Sequence, residues 1–590
     1  MTEPRPEVRQ GIIRQEGSGC AGGLPCGSHA ETPLILRGAS GRSPHETLVG
    51  ALELAARDDA PFVTFHSGRE ASPLGARGAL DAAFRFRNAF AARGVAKGDR
   101  VVVIVPTGEP FVGAFLGAML LGAVPVPLAS PMTFGAMDRY LTNLTAVLES
   151  AEPRLVVASA RVASALATLP DVAHVPVITP ADVEACPRSD VRLPSLGASD
   201  PAFIQYTSGT TGRPKGAVIS HGALVANAYA IHSGLGLGPS DVGLSWLPLF
   251  HDMGLVGVLL TGICHPYPIH LLTPQAFVMA PERWMALAGK LGATITAAPN
   301  FAFQMCAARE ARVGETDLRH LRLMLNGAEP VLPQTVQRFA ETFAPHGLGA
   351  DRILPVYGMA ESTLAVTLPE PKAGCEVLPV ARDAFEGGRV EAAQAGGLTH
   401  HVVSVGRPVT GAQVRVAGDD GTPVGERTLG EIQVSGASLM TEYFRNEEAT
   451  AEALHGGWLR TGDLGFVDGG RLFVTGRAKD VIIQSGRNVY PYDVERVAVE
   501  SAGLRPDAAI AFGRMNDAAG TEEIVLVAET TEADEDRRAA LKRTIRGEIL
   551  SVLGVSVDEV HLWPAGAIPR TTSGKKRRKE CAERVRERAV

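Results

Sequence analysis

The sequence predicts an α/β fold in which parallel or mixed sheets are covered by helices, with enough chain for a second domain. Three observations predict it. Strand-like apolar runs alternate with helix-length stretches from about residue 45 onward, as βαβ units do. At 590 residues the chain is too long for one core. Apolar content of 45% with 21% charged residues is that of a folded globular protein.

Residues 1–35 are rich in Gly, Pro and charge and read as a disordered leader, with structure beginning near Pro33. A helix is expected around His45 to Arg57, a strand at Phe62 to Phe65, a long helix from Leu74 to Arg93 and a strand at Arg100 to Val105. Phe111 to Ala129 has no charged residue and could be mistaken for a membrane span. Pro125 and Pro127 interrupt it, so it reads as a buried helix running into a strand, and no integral membrane segment is expected. The alternation continues through Arg154 to Ala158 and the apolar stretches between 255 and 305, without a fixed-period repeat.

A net charge of -7 gives no sign of nucleic-acid binding. The seven cysteines are scattered, form no Cys-x-x-Cys pair and fit a reducing compartment. No apolar core follows the basic residues of the N-terminus, so no secretory signal is read and a cytoplasmic location is expected.

The strongest local signal is the loop after Tyr206, in which Thr207, Ser208, Gly209, Thr210, Thr211 and Gly212 lead to Arg213 and Lys215. Glycines bring backbone N–H groups close to an anion, hydroxyls donate further bonds and the cations neutralise charge, so this loop suits phosphate. It differs from a Walker A loop because Arg213-Pro214 intervenes before the lysine and Gly216 follows it. His251-Asp252 could serve acid-base chemistry or a metal, but no second histidine stands at ligand spacing. His265 and His270 flank Pro266-Tyr267-Pro268, which reads as a plain loop. Asn326-Gly327-Ala328-Glu329 and Tyr357-Gly358-Met359-Ala360-Glu361 each read as a strand end followed by a glycine turn, common where open sheets bind ligands. Thr461-Gly462-Asp463 is an ordinary turn by itself, and Lys575 to Arg588 is a basic, solvent-facing helix end.

Together and in this order, the motifs resemble those of the adenylate-forming superfamily, which includes acyl-CoA synthetases, nonribosomal peptide adenylation domains, luciferase and fatty acyl-AMP ligases. The resemblance covers roughly residues 35 to 590 and implies ATP and Mg²⁺ as cofactors. It implies a large N-terminal domain over 36–478 and a small, mobile α+β domain over 479–590, turning about Lys479. The phosphate loop would wrap ATP, and Asn326, Gly327, Ala328, Glu329, Tyr357, Gly358 and Met359 would form the adenine site. Asp463 and Arg477 would hold the ribose, and Glu361 the metal. His251 would admit the carboxylate, with Met253 and Gly254 lining the acyl tunnel. Lys575 would swing in as charge builds in the transition state, while Lys576 and Arg577 stay solvated. Phe301, Phe303 and Trp246 read as plain core.

The segment 376–401, with Arg382-Asp383-Ala384 and Gly388-Arg389-Val390, resembles the insertion that marks the fatty acyl-AMP ligases. That branch implies activation of a fatty acid to its adenylate and transfer to a phosphopantetheine thiol. No Asp-Ser-Leu-like attachment site occurs in the chain, so the acyl carrier protein is expected as a separate polypeptide of a polyketide or nonribosomal peptide assembly line. Rival readings are an acyl-CoA synthetase, a β-lactone-forming ligase and a non-catalytic relative. The last would be expected to lack Lys575, Glu361 or Asp463, all of which are present.

Overall fold

The computed structural model describes residues 33–590 apart from 61, 69, 132–136, 170–173, 185–193, 208–213, 395, 398, 485–486, 506, 517–520, 572–574 and 590. The expected leader, residues 1–35, lies outside them except at its end, where Ile35–Arg37 pairs antiparallel with Ala412–Ala417.

The architecture is mixed α/β, as the alternation predicted. One seven-stranded sheet runs in the order Ile353–Pro355, Leu323–Asn326, Ile295–Ala298, Gly243–Ser245, Ile269–Leu272, Val63–Ser67, Glu70–Leu74. All its pairings are parallel except the last. A second, parallel sheet joins Val124–Pro127, Arg100–Ile104, Leu155–Ala158 and Val177–Ile178. A six-stranded antiparallel sheet is built mainly from residues 412–477.

Local sequence explains the elements that carry these sheets. The first helix spans Leu48–Arg57 and starts where the Thr47 hydroxyl accepts the N–H of Gly50. Ala76–Ala91 buries Ala79, Ala83, Phe86 and Phe90 along one face. Against it lies Glu109–Leu120, the apolar stretch that resembled a membrane span, whose residues from Phe111 to Leu120 are all buried. A Cβ at Gly117 would stand 2.7 Å from the Ala83 carbonyl oxygen, so the two helices meet at this closeness only over glycine. The strand Val124–Pro127 follows, and among the described residues no helix is long and apolar enough to cross a membrane.

Beyond residue 480 the apolar packing is largely its own. Ile482, Val494, Ile524, Ile545 and Leu553 belong to one cluster and Phe512, Trp563 and Val585 to another, both confined to this stretch. Helices Pro491–Ser501, Glu535–Leu553 and Arg578–Ala589 pack there with a three-stranded sheet of Ala509–Asn516, Thr521–Thr530 and Glu559–Pro564.

The 376–401 segment forms an antiparallel hairpin, Val377–Ala381 with Thr399–Val403, enclosing the helix Arg382–Glu386. It bridges to the C-terminal elements. Arg487 donates to Glu386 at 2.8 Å, Arg382 donates to the Val552 carbonyl at 2.7 Å, and the Phe385 ring lies 5.3 Å from that of Tyr490.

Candidate active site

The loops that follow the carboxyl ends of the parallel strands converge on a cavity of about 1630 Å³, which Thr571, residues 575–580 and residues 474–477 also line. Most of the side chains singled out in the sequence lie along it.

At one end, Tyr357 donates its hydroxyl to Asp463 at 2.7 Å, and Arg477 lies 3.0 Å from the other oxygen of that carboxylate. Asp463 and Arg477 are cross-strand partners in the antiparallel sheet, which fixes their meeting. Burial pushes the Asp463 carboxyl above its ordinary value, against the pull of Arg477. Burial, reinforced by Asp463, holds the Tyr357 phenol protonated as the donor. Gly358 is required by packing, since a Cβ there would stand 1.9 Å from the Leu364 carbonyl oxygen. Met359 lines the cavity beside it.

The wall opposite is the turn after Leu323–Asn326. Ala328 and Glu329 line the cavity, with Ala328 at φ +68°, a left-handed conformation uncommon for a residue bearing a Cβ. Glu329 accepts the N–H of Phe301 at 2.6 Å, and burial pushes its carboxyl up to about 7. Asn326 and Gly327 sit behind this wall. Asn326 is fully buried and donates to Asn300 at 3.3 Å, and a Cβ at Gly327 would stand 2.7 Å from Val356.

At the other end, the strands Pro201–Thr207 and Lys215–Ser220 form the stem of the predicted phosphate loop, with Thr207 paired to Lys215. Ser208, Gly209, Thr210, Thr211 and Gly212 lie outside the described residues. The Lys215 ammonium lies 5.1 Å from the centre of the Tyr443 ring, and Tyr443 donates its hydroxyl to Glu361 at 2.8 Å. The second oxygen of Glu361 has no protein partner among the described residues, which suits a hard cation. Among the described residues no group of three or more His, Cys, Asp or Glu side chains could hold a metal, so the remaining ligands would come from substrate and water.

His251 lines the cavity between the two ends, its Nδ1 2.6 Å from an Asp252 oxygen. Met253 lines it as well, whereas Gly254 lies beneath, where a Cβ would stand 2.4 Å from the Pro248 carbonyl oxygen. An apolar branch leads away past Ile231, Leu235, Val258, Tyr267, Leu325 and Leu364. His265 and His270 make no loop ligand pair: His265 stacks on His232 at 3.9 Å, and His270 meets His66 at 3.0 Å from neighbouring strands. Trp246 and Phe303 are core, with Trp246 stacked on Phe277 at 3.7 Å, while Phe301 is half-buried.

Lys575 and Lys479 both reach the cavity, and the Lys575 charge is felt by Asp252, Asp463 and Glu329. The expectation that Lys576 stays in solvent fails. Its ammonium is bonded to Glu495, donates to the Ala509 carbonyl at 2.8 Å and lies 3.2 Å from Asp507, and Arg578 joins Glu495 from the same stretch. Lysine sequence runs look alike whether or not a carboxylate waits across the fold. Arg577 is half-buried and pairs with Glu580 at 2.7 Å.

Sequence reasoning missed Tyr443, Thr461 and Gln205. Thr461 accepts the N–H of Asp463 at 3.1 Å, and Gln205 donates to the Phe250 carbonyl at 3.0 Å, next to His251. Thr461 stood inside a quoted motif, but nothing in the local pattern marked Tyr443 or Gln205.

Residues 54–444, well over half of the chain, match the AMP-binding enzyme family. The chain belongs to that family. This AMP-binding enzyme is 35% identical over 527 residues to a long-chain-fatty-acid–AMP ligase of Mycobacterium marinum, with 83% of the chain and 87% of the relative covered. It is equally 35% identical, over 523 residues, to a 4-hydroxyphenylalkanoate adenylyltransferase of the same organism, covering 83% of the chain and 82% of the relative. A structure solved in a study of fatty acyl-adenylate ligases from E. coli and L. pneumophila superposes with a TM-score of 0.86 at 35% identity, covering 92% of this chain and 99% of that one. The fold is thus that of an adenylate-forming enzyme, and the chemistry of the family is ATP-dependent.

Proposed function

We propose that the protein activates a fatty acid to its acyl-adenylate and passes the acyl group to the phosphopantetheine thiol of a separate acyl carrier protein. One observation carries this: a single cavity is lined both by an apolar branch and by the polar side chains of Asp463, Tyr357, Arg477, Lys215, Lys575 and Glu361. The 376–401 insertion and the likeness to a long-chain-fatty-acid–AMP ligase favour the AMP-ligase branch. Relatives bearing the names acyl-CoA synthetase and fatty-acid–CoA ligase keep the acyl-CoA synthetase as the rival reading.

In this proposal the ribose hydroxyls donate to Asp463, held by Arg477 and Tyr357, and the purine lies between Tyr357 and the wall of Ala328 and Glu329. The acyl chain occupies the apolar branch, where burying each methylene contributes about 0.8 kcal/mol. Its carboxylate passes His251 to reach the α-phosphorus. An oxygen–phosphorus bond forms to the carboxylate as the bond to the bridging oxygen breaks, and pyrophosphate leaves with that electron pair. Lys215 and Lys575 stabilise the charge gathered on the phosphoryl oxygens, so catalysis is mainly positioning and electrostatics. Glu361 would hold Mg²⁺, which supplies further charge neutralisation at the phosphates when bound. We assign 36–478 and 479–590 as the two domains and Lys479 as the hinge by which the small one turns to admit the thiol.

Fatty-acid-dependent exchange of labelled pyrophosphate into ATP tests the first step, with 4-hydroxyphenylalkanoates as the competing substrate class. Exchange that rises with aliphatic acids supports the proposal. Exchange only with aryl acids, or none, removes it.

A further inference from the structure

We propose that Asp252 is a positioning residue for the adenylation step: it accepts the Nδ1–H of His251 and so fixes the orientation of the ring where the entering carboxylate passes. This rests on the proposed acyl-adenylate activity.

The geometry settles where the ring proton sits. His251 Nδ1 stands 2.6 Å from Asp252 Oδ1, and an ionised carboxylate can only accept, so Nδ1 donates. The Met253 N–H has two candidate acceptors: Asp252 Oδ1 at 2.8 Å and His251 Nδ1 at 3.4 Å. A ring nitrogen carrying a proton cannot accept, and the shorter contact goes to the carboxylate, so one arrangement satisfies all three groups. Asp252 remains an anion there, because His251 first and Lys575 after it outweigh the cost of burial and hold its carboxyl below the ordinary range.

Nε2 is then the free end of the ring. No described residue bonds it, and His251 lines the cavity between the apolar branch and Lys215. Asp252 is ill suited to touch an anionic substrate itself, since like charges at close range repel. Asp252 also lines the cavity and faces the Lys575 charge, so its effect passes through His251 or through Lys575, and the loss in the His251→Ala background separates the two. A residue that merely caps the short turn Asp252–Gly254 would bond the Met253 N–H equally well, so the test must separate the two roles.

The test combines pyrophosphate exchange with a fatty acid in the wild type, Asp252→Asn, His251→Ala and the double variant with ¹⁵N spectra of the His251 ring. Asp252→Asn keeps the shape and an acceptor for Met253 but removes the charge. It should lower kcat at least about tenfold with an unchanged Tm, and cause no further loss once His251 is alanine. Asp252→Ala, which removes the acceptor itself, should move the ring proton of His251 away from Nδ1 relative to the wild type. Equal losses in both backgrounds, or a His251 ring signal unmoved by Asp252→Ala, would overturn the proposal. A wild type that exchanges pyrophosphate with no fatty acid would instead remove the functional reading, and the ring spectra alone would then decide the role of Asp252.

Discussion

Lys575 sits where the carboxyls of Asp252, Glu329 and Asp463 feel its charge. If it meets the phosphoryl charge only as that charge develops, Lys575→Ala should lower the rate of pyrophosphate exchange about 10²–10³-fold while leaving Tm unchanged. Tyr443 ties the Lys215 end to Glu361 through its ring and its hydroxyl. Tyr443→Phe keeps the ring but frees the carboxylate, so the Mg²⁺ concentration for half-maximal rate should rise about 10-fold or more, as a magnesium titration would reveal. Glu329 gives a pH prediction. Burial pushes its carboxyl from 4.5 to about 7, so between those values the unfolded chain releases a proton that the folded protein keeps. Stability from this group falls as pH rises through that window and stays lower above it. Glu329→Gln removes the loss, and its Tm relative to the wild type should be higher at about pH 8 than at about pH 5.

Among elements, the helix Pro491–Ser501 carries a carboxylate that ties it to two other parts of the chain. Glu495 accepts the N–H of Ala511 at 3.0 Å and pairs with both Lys576 and Arg578, so one side chain joins a helix, a strand and the segment bearing Lys575. Glu495→Ala would leave Lys576 with Asp507 and Arg578 with Asp480 as their remaining carboxylates and should cost about 3 kcal/mol in chemical denaturation. Adenylation should fall with it, because the carrier of Lys575 loses its anchor. The two cationic partners of Glu495 lie more than eighty positions away and no local pattern names them. Helices with strong caps or apolar faces, such as Leu48–Arg57 and Glu109–Leu120, were readable within a few residues. The strand Glu70–Leu74 was not, because exposed edge residues such as Glu70 and Ser72 carry no alternation, and its pairing with Val63–Ser67 creates it.

At the scale of the whole molecule, the order of motifs was legible because most contribute a turn of distinctive residues at the end of a strand. Thr461-Gly462-Asp463, read as a turn, instead lies within the strand Trp458–Asp468, where pairing with Arg471–Arg477 fixes it. The antiparallel sheet of residues 412–477 was not foreseen, since its register rests on pairings between distant strands. That sheet nevertheless brings Arg477 to Asp463, two residues the motifs named separately. The hairpin 377–403 spans from the large sheets to the elements beyond residue 480, so a substitution confined to it should be felt where the chain handles its second substrate. The central claim is that the acyl-adenylate is handed to a carrier protein rather than to free CoA. Mass spectrometry of the products formed from ATP, Mg²⁺ and mixed fatty acids, with and without CoA, tests it most directly. The account predicts acyl-adenylate that persists when CoA is added and is consumed by a holo acyl carrier protein; ready conversion to acyl-CoA would contradict it.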